Sequence, residues 1–390
     1  MRVESASISS RERILAAIRH QPVDHLPLCF HGIGHQQVEF LSRRYPDQFE
    51  LARFYLDLGL DTGILTSPPL YSTKGFETRE WTEAPPGRGH SLMCKEYITS
   101  RGSLRQVVRK HDYPFESIEL FSDHHVPAAR SKEYCIEKEE DLDALQCVLQ
   151  PPSADELTGY REEMRAARKF CDENDILLSG YHQGIGDPLA WLSGIEPILI
   201  AALEDPGFLK RYVEILSQWS LAILAIQIDA GIDILVRRGW YESTNFWSPK
   251  LYREFLFDPL KKEIEGAHQA GVLVNYCMNS GAMPLLGTFL DLGFDIYSLI
   301  DPTAGDTNLV RIKRAVGGTI ALYGGVSNHH ALETGTAEQV RQAVAEAVEA
   351  LAPGGGFILG LGDCLDYQMS NPEVAEQNLY EMIEAWKGMR

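Results

Sequence analysis

Eight short apolar runs, each ending on a knot of polar residues, constrain this chain more than any other feature. They are residues 26–32, 61–67, 176–183, 234–239, 272–277, 294–300, 320–325 and 357–363. Most are rich in Leu, Ile, Val and aromatic residues without strict alternation, the pattern of strands buried on both faces of a parallel sheet. Helix-like stretches separate most of them, so the pattern predicts an α/β fold of the (β/α)8 TIM-barrel type. Such barrels gather their chemistry at the C-terminal ends of the strands. The knots there contain His31, His182 with Gln183, Arg238 to Glu242, Asn275 to Cys277, Asp301, Ser327 to His330, and Asp363 with Cys364.

At 390 residues the chain exceeds the usual barrel length, and the surplus falls between the second and third runs. Residues 68–174 are far longer than a normal βα connection. Within them, 91–97 and 104–108 alternate around 100–102 as a β-hairpin does, and 137–145 and 154–174 read as helices. Residues 1–390 are thus expected to form one distorted barrel domain, with 68–174 an insertion capping one end. Ser10, followed by Glu12 and the stripe Ile14, Leu15 and Ile18, reads as a capped amphipathic helix under the barrel, stopped by Pro22. Further helices are expected over 47–58, 196–203, 206–228, 249–271, 283–292, 308–316, 336–351 and 372–389, and Thr336 with Gln339 forms a capping-box pattern.

The formal net charge of −19 argues against a nucleic-acid partner, because phosphate neutralisation needs a basic footprint. No apolar run approaches the ~20 residues that span a bilayer. The first thirteen residues lack the apolar segment of a secretory signal, which makes the cytoplasm the expected location, without membrane contact. Seven cysteines, at 29, 94, 135, 147, 171, 277 and 364, include no CxxC pair, so no disulfide framework is expected.

Cys277 ends the fifth run and Cys364 follows the eighth. Strand ends of one barrel share a mouth, so the two thiols can meet and, with one or two N/O ligands, hold zinc. Their other reading is as small buried hydrophobes. Arg237 and Arg238, directly after an apolar strand, must be paired or face a cleft. Glu242 then reads as a base, a metal ligand or the partner of an arginine. Trp240 and Tyr241 either stack on an aromatic substrate or cover the barrel top. His182 is a proton donor or a rim hydrogen-bonding group. His31, His35, His329 and His330 are further imidazoles at strand ends, with packing or solvation as their other reading. Gly324 and Gly325 permit close backbone approach to a ligand, but no basic residue accompanies them to bind phosphate.

Several segments resemble the uroporphyrinogen decarboxylase superfamily. They are residues 11–20 (RERILAAIRH), 22–27 (PVDHLP), 248–255 (SPKLYREF) with Pro259, 322–326 (LYGGV), 335–338 (GTAE) and 354–357 (GGGF). The resemblance is clear at the start and continuous from about residue 176, and residues 68–174 match it poorly. It implies a distorted TIM barrel in a group that includes porphyrin decarboxylases and corrinoid-linked methyltransferases. The decarboxylase branch would have Arg-Gln-Ala-Gly-Arg-Tyr after the first strand to hold substrate carboxylates. This chain has Phe30-His-Gly-Ile-Gly-His35 there. The branch that methylates small thiols has His-x-Cys at the fifth strand and a Cys after the eighth, together holding zinc. Cys277 and Cys364 match the thiols, while Asn275 stands in the histidine position and Met278 replaces a glycine.

The resemblance therefore implies methyl transfer from a small methylated donor, an aryl methyl ether among the candidates, to the cobalt of a corrinoid carried by a partner protein. His182, Tyr241 and Glu242 would serve the leaving group. Cys277, Cys364 and Glu242 would hold zinc. Phe30, His31, Arg238, Trp240, Asn275, Asn279 and His329 would contact substrate. Two alternatives stay open: a lyase using Arg237 and Arg238 on substrate carboxylates, and a non-catalytic barrel that delivers a corrinoid or porphyrin.

Overall fold

The computed structural model describes residues 8–84, 89–110, 117–123, 130–365 and 371–389. Its strands are β1 (Gly63–Thr66), β2 (Phe76–Glu83), β3 (Leu92–Thr99), β4 (Gly102–Arg109), β5 (Ser131–Glu133) and β6 (Leu177–His182). They continue with β7 (Ile234–Arg238), β8 (Leu273–Cys277), β9 (Ile296–Ile300), β10 (Ala321–Val326) and β11 (Phe357–Leu361). Seven of them form one parallel sheet in the order β1-β6-β7-β8-β9-β10-β11, with helices intervening between most neighbours, so the α/β class is as expected.

The first apolar run, 26–32, does not form a strand. It makes only two isolated parallel bridges, Leu28 to Leu359 on β11 and Cys29 to Asp61 just ahead of β1. Pro27 has no N–H to donate to a ladder. Gly32 has a φ of +91°, with an added Cβ falling 2.1 Å from the Gly63 carbonyl carbon. The backbone thus turns away as soon as it has touched both edge strands. The sheet is a curled seven-stranded sheet rather than the closed eight-stranded barrel the sequence pattern predicts.

Successive strand side chains face opposite sides of this curl. Leu177, Ile234, Val236, Cys277, Ile296, Ala321, Tyr323 and Ile358 face inward, in one cluster with Ile14, Ala17 and Ile18 of the helix Ser10–Ile18. Leu178, Leu235, Val274, Tyr276, Tyr297 and Leu322 face outward into the helix layer. The N-terminal helix is capped one residue earlier than the sequence suggests. Ser9 and Glu12 form the capping box, because that reciprocal pair needs a spacing of three. Thr336 and Gln339 cap Ala337–Leu351 in the same way.

The hairpin expected in 68–174 is present as β3 and β4, joined at Thr99 and Gly102. It lies within a four-stranded antiparallel sheet, β2-β3-β4-β5. The sequence pattern gave no sign of β2, since most of its residues are exposed and carry no apolar alternation. The helix Gly186–Ser193 escaped for the opposite reason: all of its residues are buried, so it has no amphipathic stripe. The expected helix over 249–271 is interrupted by a π turn at Tyr252–Leu256. Gly324 and Gly325 are explained by packing. A Cβ on Gly324 would meet the Ile300 backbone at 2.8 Å and one on Gly325 would press on Ala347, so both serve strand and helix contacts. Among the described residues no helix is long and apolar enough to cross a membrane, and none of the seven cysteines forms a disulfide.

Arg13 braces the lower end of the sheet. Its guanidinium binds Asp24 at 2.7 Å and the fully buried Asp61 at 2.6 Å. Removing it strands the Asp61 carboxylate in the interior. Arg13→Ala is therefore expected to lose roughly 3–5 kcal/mol of unfolding free energy, measured by chemical denaturation.

Candidate functional site

At the end of β7 the alternation of the strand sends two adjacent arginines to opposite faces. Arg237 enters the helix layer, where it is ion-paired with Glu242 and, at 2.8 Å, with Glu263. Glu242 also accepts the Tyr276 hydroxyl at 2.6 Å and the Gly186 N–H at 3.0 Å. Glu263 accepts the Ser220 hydroxyl at 2.7 Å, and Ser220 lies 3.1 Å from His182 Nε2. His182 Nδ1 lies 3.1 Å from Gln227, which itself donates to the Tyr181 carbonyl. Every side chain in this chain of contacts from Arg237 to Gln227 is fully buried or nearly so. Burial lowers the proton affinity of His182. The structure thus sets His182 and Glu242 in a sealed network behind the sheet, away from its inner face. Their expected roles as proton donors are corrected accordingly. The glycines at 184 and 186 serve the same packing: Cβ atoms there would strike the Arg237 guanidinium and Glu242.

Arg238 takes the inner face. Its guanidinium lies 3.9 Å from the Trp240 ring centroid, 5.3 Å from Trp191 and 6.0 Å from Tyr241. It is ion-paired with Asp123, from the long segment after β1, and sits 3.3 Å from buried Asp187. Burial works against the charge of Arg238, but the two carboxylates and Tyr181 outweigh it and raise its proton affinity. Asp123 further accepts Trp191 Nε1 and the Tyr241 hydroxyl, each at 3.0 Å. Asp187 accepts the Gly184 N–H at 3.3 Å, while its other oxygen has no aligned hydrogen-bond donor. Burial, partly opposed by Arg238, pushes the Asp187 carboxyl up to about 7. His35 stacks on Tyr181 at 5.0 Å and meets Trp240 edge-on at 5.1 Å. Two buried polar atoms in this group, His35 Nδ1 and Trp240 Nε1, have no hydrogen-bond partner among the described residues.

The two family thiols flank the segment at His35. Cys364 donates to the His35 carbonyl at 3.2 Å, and the His35 backbone also faces the Cys277 thiol. Cys277 accepts the Ser298 hydroxyl at 3.1 Å, and burial pushes its thiol up to about 11. Asn275, in the histidine position, donates to the Ile33 carbonyl at 2.6 Å. Glu242 is held on the other face of the sheet. Among the described residues no group of three His, Cys, Asp or Glu side chains is arranged to hold a metal. The expected zinc set of Cys277, Cys364 and Glu242 is therefore not assembled, and the donor set does not fit that ion.

The remaining expected contacts scatter. Phe30 is packed in the helix layer beside Tyr55. His31 stacks on Tyr55, and burial lowers it to about 4. His329 is largely exposed and pairs locally with Glu333 at 2.9 Å. Asn279 donates to Asp363 at 2.9 Å on the rim. Arg238, Trp240 and Tyr241 do come together. A cavity of about 770 Å³ reaches this group, lined by Asp123, Tyr241, Phe246, Tyr134 and aliphatic residues 195–203. Among the described residues its charged lining consists of Asp123 and Glu196. The sequence reading missed Asp123 and Asp187. Asp187 had a legible signal, as an acid closely following the polar end of the third run; Asp123 had none, since no motif marks its long segment.

A curled parallel sheet with its polar side chains at the carboxyl ends of the strands defines a TIM-barrel-like α/β protein. The chain belongs to the uroporphyrinogen decarboxylase (URO-D) family, whose profile matches residues 113–388, well over half of its length. Among solved structures it is similar to a methyltransferase from Methanosarcina mazei, at 18% identity and a TM-score of 0.62, covering 98% of this chain and 99% of that one. At that identity the likeness establishes the shared fold. A D-psicose 3-epimerase from Clostridium cellulolyticum H10 also matches, at 12% identity over 59% of this chain and 83% of that one, but its TM-score of 0.37 carries no argument. No curated protein matches the chain.

Two outcomes are expected from this geometry. Glu242→Ala, which leaves Arg237 with one carboxylate and frees the Tyr276 hydroxyl, is expected to lose about 3–5 kcal/mol of stability in chemical denaturation. Cys277, buried and with a raised thiol, is expected to resist iodoacetamide near neutral pH in the native protein and to react fully once denatured, as read by peptide mass mapping.

Proposed function

We propose that this protein is a methyltransferase that moves a methyl group from a small aryl methyl ether to the cobalt of a corrinoid carried by a partner protein. The observation that carries the reading is the pairing of the two arginines. A carboxylate-binding lyase would need Arg237 and Arg238 for its substrate, yet each is already held by two acidic side chains. What Arg238 is set among is aromatic: Trp191, Trp240, Tyr241, Tyr181 and His35 surround it, a setting suited to a planar, uncharged donor. Family membership and the end-to-end likeness of fold to a methyltransferase support the same reading.

In this reaction the methyl–oxygen bond breaks, its electron pair stays on the aryl oxygen, and the acceptor supplies the pair for the new bond to carbon. No nucleophilic side chain is required of this chain. Its task is to orient the donor and to stabilise the departing oxygen. Trp240 and His35 offer ring surface and two ring nitrogens without a hydrogen-bond partner among the described residues. Burial keeps the Tyr241 hydroxyl protonated and it lines the cavity, but it donates to Asp123 at 3.0 Å, so it would serve the leaving oxygen by exchanging that acceptor for it. Zinc takes no part in this scheme, because the donor set does not fit it.

Mixing the protein with an aryl methyl ether and a reduced corrinoid protein is expected to yield the free phenol and the visible spectrum of methylated corrinoid. Release of carbon dioxide from a carboxylated substrate, with no methyl transfer to the corrinoid, would replace this reading with the lyase.

A further inference from the structure

We infer that the site selects methyl donors without a carboxylate, and that Asp187 and Asp123 set this selectivity by holding Arg238 between them. The inference deepens the proposed function, on which it rests for the identity of the ligand as an aryl methyl ether.

Arg238 is the one arginine among the described residues that stands on the inner face beside the aromatic group. Unpaired, a buried guanidinium flanked by three aromatic rings would be a strong receptor for an aryl carboxylate. It is not unpaired. Asp123 approaches from the long segment after β1 and Asp187 from the first turn of Gly186–Ser193. Two carboxylates against one guanidinium leave a local charge of zero or below, and an incoming carboxylate meets repulsion that low dielectric sharpens. The adjoining cavity repeats the bias, since its charged lining among the described residues is two acids and no base. A neutral ring loses nothing by this arrangement and retains the aromatic surface.

The groups facing Asp187 are Arg238 and Arg237 from β7, Asp123 from the long segment, Glu242 from the turn after β7, and Tyr181 from β6. Protonation of Asp187 removes one negative charge from the pair that holds Arg238. Its carboxyl is raised to about 7, so the charge is lost as pH falls from about 8 to about 6. Affinity for an aryl carboxylate should rise over that window. His35 and His31, lowered to about 3 and about 4, stay neutral throughout and do not contribute.

The test is equilibrium binding of methoxybenzene and of para-methoxybenzoate to the whole chain without the corrinoid protein, read by quenching of tryptophan fluorescence. The wild type is expected to bind methoxybenzene the tighter at about pH 8, and the preference to narrow as pH falls to about 6. Asp187→Asn is expected to shift the ratio of the two dissociation constants roughly tenfold toward the carboxylate and to flatten its pH dependence. Asp123→Asn, a partly exposed position suited to the case where the buried substitution does not fold, is expected to shift the ratio the same way. Tighter binding of the benzoate by the wild type at pH 8, or an unchanged ratio in both variants, would overturn the selectivity. Failure of both compounds to bind would remove the aryl ether donor and the selectivity together. Normal selectivity without methyl transfer would remove only the reaction.

Discussion

Two adjacent arginines cannot face the same way on a β-strand, and the upper half of this molecule is organised around that fact. Arg237 and Arg238 end β7 with their charges on opposite sides of the sheet. Each charge is buried, and a buried charge persists only when counter-charges and hydrogen bonds surround it. The side chains recruited for that purpose are Glu242 and Glu263 behind the sheet and Asp123 and Asp187 in front.

The rear network fixes the geometry of the front one. Glu242 sits on the turn Trp240–Glu242 and accepts the N–H of Gly186, which opens the helix carrying Asp187. Through that carboxylate, Arg237 sets the positions of both the Trp240 ring and the Asp187 carboxyl. Residues that look catalytic in one dimension therefore act as supports in three. His182 belongs with them: it ends β6, and both of its ring nitrogens are engaged with residues of Pro206–Asp229.

The second lesson concerns the thiols. Cys277 and Cys364, separated by 86 intervening residues, both meet the segment at His35, as strand ends of one curled sheet should. Proximity alone does not make a metal site. A zinc thiolate needs a third strong ligand and a lowered thiol proton affinity. Here Asn275 is turned to a backbone carbonyl and burial raises the Cys277 thiol, so neither supplies what such a site needs.

Seven of the eight apolar runs by themselves determined the strands of the parallel sheet and their order, and with them most of the intervening helices and the end of the sheet where polar residues collect. Those features follow from local periodicity, which a one-dimensional pattern records faithfully. The tertiary structure alone decided which side of the sheet each polar residue serves, because a shift of one position reverses a side chain and no composition rule registers it. It also brought Asp123 to Arg238 from a segment with no pattern of its own, and it turned the run at 26–32 away after two bridges, since strand pairing depends on where the neighbouring backbones lie. Fold class was thus written in periodicity, whereas the site depended on parity and long-range charge neutralisation, which only the folded chain brings together.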